Sequence, residues 1–260
     1  MTDASIAQPH TPLGVGSIIG ESFSILFGKF VQVIVLAFVP TLIGVLISGL
    51  VNGFDVTLGQ AEAQFTSAGD VVGNIVAFVI NMVVYAITTA LLVQLAYDAK
   101  LSRPIQLGRY VGPALNAAIP LAILTIVVTI LLTIGLMLFI VPGLWVYAVF
   151  CVLAPVIVIE RAGFGGMGRS RALTKEYRWP IVGALILAFI VVIILQIVAM
   201  LLVAVVAAFG TLGMILALIL MVAISTLGAG YLSILVSLIY ARLREIKEGV
   251  SVDEIASVFD

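Results

Sequence analysis

The chain reads as an all-α, polytopic membrane protein of six transmembrane helices, set as three helical hairpins with amphipathic helices along one interface. Three observations predict this. First, hydrophobic residues make up 63% of the 260-residue sequence and charged residues only 10%, against roughly a quarter charged in soluble domains. Mean hydropathy is +1.33, and so few charges cannot cover a water-facing surface. Second, the apolar residues fall in runs near the roughly 20 residues that cross about 30 Å of hydrocarbon. Third, with those runs drawn as six spans, all 12 lysines and arginines fall on one side. The positive-inside rule then puts both termini in the cytoplasm.

Residues 1–13 carry Pro9 and Pro12 and no periodic pattern, which predicts a disordered cytoplasmic tail. The tail holds the only histidine, His10. It lacks the basic region and short apolar core of a cleaved signal peptide, so insertion falls to the first span. From 14 to 30 the pattern is helical and two-faced. Ile19, Phe23, Phe27 and Phe30 share one stripe, and Ser17, Glu21, Ser24 and Gly28 the other, a pattern suited to the headgroup boundary.

The first span covers about 31–50, with a kink expected at Pro40. A polar loop, 51–70, holds Asp55, Glu62 and Asp70 and no cation. The second span covers about 71–97. Residues 105–118 form a second interfacial segment, broken by Pro113, and the third span covers about 119–141. The turn Pro142-Gly143 is so short that the fourth span, about 144–159, returns antiparallel beside the third. That span is short for a crossing and bends at Pro155, so it crosses a thinned bilayer or crosses obliquely. The fifth span, about 181–208, and the sixth, about 212–240, are divided near Phe209-Gly210. Ser251 to Glu254 has capping-box spacing, which predicts a cytoplasmic helix over 250–260. The order of interfacial segment, span in, turn and span out recurs over 14–97, 104–160 and 163–240. It is a threefold repeat of hydropathy and length.

The segment between the fourth and fifth spans carries Arg169, Arg171, Lys175 and Arg178. On a continuous helix, Arg171, Lys175 and Arg178 share a face opposite Leu173 and Tyr177. Basic residues beside a membrane attract anionic lipid at about 1 kcal/mol each. These four are therefore the candidate contacts for a lipid headgroup or a protein partner; the plainer alternative is that they only set orientation. Glu160, at the end of the fourth span, is expected to pair with Arg169 or Arg171. The Glu160–Arg171 pair is the structural ion pair we name.

Other chemistries find no residues. Hydrolysis of phosphodiesters needs metal-binding carboxylates and histidines, and neither a second histidine nor an HExxH motif is present. No expected span interior carries a charge of the kind that couples ion transport. Its mild polar residues, such as Asn81, Thr88, Thr89, Gln94, Gln196 and Ser225, more simply bond between helices. Cys151, the only cysteine, reads as a small buried hydrophobe. No metal, cofactor or catalytic residue is implied, and a net charge of −1 gives no reason to invoke nucleic acid.

The order of features from the third span onward is that of a known group. Val141-Pro142-Gly143 leads to Ala154-Pro155-Val156, then Glu160, then Arg169-Ser170-Arg171-Ala172-Leu173-Thr174, then Trp179. Tyr240-Ala241-Arg242-Leu243-Arg244 and Lys247-Glu248-Gly249 close it. This resembles the membrane domain associated with glycerophosphoryl diester phosphodiesterases and its stand-alone YciC-like relatives in bacterial inner membranes. The resemblance covers about residues 105–249 and implies six helices and an inner-membrane location. It implies no catalytic residues, because the phosphodiesterase chemistry of that family belongs to a separate soluble barrel. The reading taken forward is a non-catalytic inner-membrane protein that organises lipid or a membrane-protein complex, with a second copy of itself as a further partner. The alternative is a transporter or permease-like subunit for a lipid or apolar substrate.

Overall fold

Six helical stretches are long and apolar enough to cross a membrane: Phe30–Asn52, Ala68–Lys100, Leu107–Leu138, Ile140–Ile159, Arg178–Val206 and Leu212–Glu248. They belong to a computed structural model that describes residues 12–57, 61–62 and 67–249. Among the described residues all regular structure is helical, and the architecture suits a polytopic membrane protein. The elements are α1 (Val15–Gly28), α2 (Phe30–Asn52), α3 (Phe54–Thr57), α4 (Ala68–Lys100) and α5 (Leu107–Leu138). They continue with α6 (Ile140–Phe150), α7 (Leu153–Ile159), a 3-10 turn (Gly163–Gly165), α8 (Gly166–Thr174), α9 (Arg178–Ala207) and α10 (Gly210–Glu248). The helix expected over 250–260 lies outside the described residues, as do residues 1–11.

The helix boundaries follow from local chemistry. Ser67 and Asp70 form a reciprocal capping box that starts α4. It supplies partners for donors that a helix start leaves open. Gly210 takes a left-handed backbone, φ 73°, at the tight turn between α9 and α10.

Three expectations need correction here. The interfacial segment 105–118 and the third span are one 32-residue helix, α5, with Pro113 and Pro120 inside it. Each proline withholds a donor from the carbonyl four residues earlier. Those carbonyls belong to Arg109 and Asn116, both exposed residues. The turn into the fourth span lies at Phe139, which is fully extended (φ −167°, ψ 161°), and not at Pro142-Gly143. Pro142 falls in the first turn of α6, where its missing N–H is not needed. Gly143 lets the two backbones meet, since a Cβ on Gly135 would lie 3.0 Å from the Gly143 Cα. On α1 the buried residues are Ile18, Ser22 and Leu26, while Phe27 of the expected boundary stripe is 67% exposed. The Ser22 hydroxyl tolerates burial because it donates to the Ile18 carbonyl at 2.7 Å. Leu13, placed in the tail by sequence, is buried with them.

Burial is divided sharply along the long axis. At one end α4 buries every residue from Leu91 to Tyr97, and α10 buries Tyr231, Ile234, Leu235, Leu238, Ile239, Tyr240 and Leu243. At the other end the apolar side chains face outward, as at Met137, Leu138, Phe139, Met200, Leu201 and Leu212. An outward apolar surface of this extent suits lipid. The packed end carries the charges. Lys100 bonds Glu21 at 2.7 Å, tying α4 to α1. Arg242 reaches the Pro12 carbonyl, and Tyr110 donates to Asp98 at 2.8 Å, tying α5 to α4. We call this end the base.

The fourth stretch runs obliquely. The ring of Trp145 lies 5.5 Å from that of Trp179 in the first turn of α9, while Tyr147 lies 5.5 Å from Phe189. Residues two apart on α6 thus meet residues ten apart on α9. At about 1.5 Å of rise per residue, the two pairs lie about 3 Å apart along α6 and about 15 Å apart along α9, which suits an inclined packing of the two helices.

Candidate functional site

The interruption between α6 and α7 builds the site. Pro155 has no N–H for the Cys151 carbonyl, and the helix breaks at Cys151-Val152. A break frees carbonyls of the preceding turn, and in a buried setting each needs a new donor. The Val149 carbonyl accepts from the Ser170 hydroxyl at 2.9 Å and from the Thr174 hydroxyl at 3.1 Å. The Ala148 carbonyl takes a weak bond from the Cys151 thiol. Two hydroxyls four residues apart on α8 therefore dock that helix onto the break. Leu173, on the same face, is almost fully buried, and Gly166 comes so close to Ile157 that a Cβ would lie 2.8 Å from it.

This docking fixes the rotation of α8 and so decides the fate of each cation. Arg169 is turned toward α10. Its guanidinium donates twice to Glu160, at 2.7 and 3.0 Å, and also to Glu248. Glu160 accepts the Tyr240 hydroxyl at 3.0 Å, and Arg244 binds Glu248 at 2.8 Å. Two arginines and two glutamates thus join α7, α8 and α10 in one knot. The hydrogen bonds it donates to Glu160 push the Arg169 guanidinium above the ordinary arginine range, so it stays charged. The ion pair therefore forms to Arg169 and not to Arg171, which is exposed.

The shared basic face is not formed. Lys175 is the C-cap of α8 in extended backbone (φ −55°, ψ 138°), and Glu176 has φ 76°. Those two residues break the helix, so Arg178 belongs to α9. Arg171 and Lys175 face outward. Arg178 lies 5.0 Å above the Trp145 ring, a cation–π contact, and its buried Nε has no hydrogen-bond partner. Leu173 and Tyr177 are both buried, though on either side of the break.

Arg244 and Glu248 escaped sequence reasoning. Tyr240, Arg244 and Glu248 recur at every fourth position, one face of a helix, and that spacing was the available signal. Among the described residues, no group of three or more histidine, cysteine or acidic side chains is placed to hold a metal ion.

What the base and the apolar half define together is a class: a helical membrane-type protein with a packed, ion-paired end. Comparison with family models, with curated proteins and with solved structures gives no match for this chain.

Proposed function

We propose that this chain is a non-catalytic integral protein of a bacterial inner membrane, its spans set as three hairpins and both termini cytoplasmic. Its role is to organise anionic lipid, or a membrane-protein partner, through the outward cations Arg171, on α8, and Lys175, at its end. The observation that carries this is the division of labour among the four cations. Arg169 is consumed by the knot, while a helix pinned by Ser170 and Thr174 holds Arg171 and Lys175 outward. A rigid platform loses little entropy when it captures a headgroup. The segregation of the cations and the family resemblance both suit this placement.

The test is lipid enrichment around the full chain in nanodiscs of mixed anionic and zwitterionic phospholipid. Arg171→Gln with Lys175→Gln should lower the anionic share bound, as read by native mass spectrometry. An unchanged share would refute the role. Reporters at 52–70 and after 249 should read opposite compartments.

One observation favours the second reading, transport of a lipid or apolar molecule. A cavity of about 380 Å³ lies between α2, α4, α9 and α10, lined by Asn81, Thr88, Thr89, Gln196 and Ser225. Asn81 already bonds Ser48 at 2.6 Å and the Ala77 carbonyl at 2.8 Å, so part of this lining serves packing.

A further inference from the structure

Two adjoining hollows open in the base between α5, α7 and the turn after α7. The first, of about 220 Å³, is lined by Arg103, Arg109, Arg161, Asp98, Gln106 and Tyr110 among others. The second, of about 430 Å³, shares Pro113, Val158 and Arg161 with the first and continues over Ala117, Pro120 and Ile157. One is polar and cationic; the other is walled mainly by apolar side chains.

Arg109 and Arg161 line the first hollow with one carboxylate. That carboxylate, Asp98, already accepts the Tyr110 hydroxyl. The excess positive charge calls for an anion, and planar guanidinium forks match phosphate oxygens in pairs. The start of α5 adds to this. Its N-cap, Gln106, makes no side-chain cap, and Gln106, Arg109 and Tyr110 of this helix start line the hollow, near the positive end of the helix. Arg161 is held there by an unusual backbone. It has φ 54°, one residue beyond the end of α7, where glycine is the residue without strain. Arg161 also lines both hollows, so it marks the junction of the charged and apolar parts.

We propose that the paired hollows are an anionic-phospholipid site: the phosphate sits between Arg109 and Arg161, and an acyl chain lies over Ala117, Pro120 and Ile157. The shared chemistry is phosphate recognition, and the apolar annex selects a lipid over free phosphate. This deepens the lipid reading above but uses none of the α8 cations, so the two can fail separately.

The experiment is titration of the detergent-purified full chain with dioctanoyl phosphatidylglycerol, dioctanoyl phosphatidylcholine and inorganic phosphate. The glycerol lipid should bind most tightly. Arg109→Gln and Arg161→Gln should each weaken it roughly fivefold, as expected for one cation lost beside an anionic headgroup. Arg171→Gln with Lys175→Gln should change it less than about twofold. Gly112→Leu keeps every arginine and places a side chain where a Cβ meets nothing within 4 Å. It should fill the apolar hollow, weakening the lipid without altering phosphate. Unchanged lipid affinity in the Arg109/Arg161 double variant would overturn the proposal. So would inorganic phosphate binding as tightly as the lipid, or equal binding of the choline lipid. If the arginine variants do not fold, Gly112→Leu decides: unchanged lipid affinity overturns the site.

Discussion

The hydroxyl of Ser170 donates to the carbonyl of Val149, 21 residues earlier in the chain, at 2.9 Å. That carbonyl is at the end of a helix broken ahead of a proline, and Thr174 reaches it as well. The bond pair thus converts a local fault in α6–α7 into the seat of α8.

Removing one hydroxyl leaves the other in place, so Ser170→Ala or Thr174→Val should each cost about 1 kcal/mol. Removing both orphans a buried carbonyl, and the double variant should lose about 3 kcal/mol, more than the sum of the singles. Thermal unfolding in mild detergent reads this. Strictly additive losses would mean that the carbonyl is satisfied in another way.

Glu160 has three side chains within reach and Arg171 is not among them. Glu160→Gln should therefore lower stability by about 2 kcal/mol, since it leaves Arg169 with half its partners in a part-buried knot. Arg171→Gln should leave the melting temperature unchanged. Equal melting temperatures for the two variants would contradict the geometry.

Gly135 faces the backbone of Gly143, with nothing flexible to give way. Gly135→Ala should destabilise the protein by about 1–3 kcal/mol through overpacking. Gly183, inside α9, has open space where its Cβ would be. Gly183→Ala should gain up to about 1 kcal/mol from helix propensity. Denaturant midpoints of the two variants should move in opposite directions.

Trp145 and Trp179 are the only tryptophans and lie with ring centroids 5.5 Å apart. Their transitions should couple and give an exciton couplet in far-ultraviolet circular dichroism. Trp145→Phe and Trp179→Phe should abolish it equally. A couplet that either variant leaves intact would mean that the two rings are not in contact.

The number and rough extent of the apolar helices were legible in the chain alone. In lipid a backbone must satisfy its own hydrogen bonds, so a long apolar run is helical whatever surrounds it. Pro142 misled by three to four residues, because proline suits a helix start as well as a turn. The continuous helix α5 was hidden for a related reason: Pro113 reads as a break, although a helix can carry a proline where the residue four earlier, Arg109, is exposed. The candidate site was legible as a cluster, from Glu160 to Arg178, but not in its assignments. Nothing local distinguishes Arg169 from Arg171 as the partner of Glu160. That choice is made by Ser170, Leu173 and Thr174, whose inward face sets the rotation of α8 against a carbonyl exposed by a distant proline. The arginine hollow was not legible either, since Arg103, Arg109 and Arg161 lie up to 58 positions apart. Only the packing of α5 against α7 brings them to one opening.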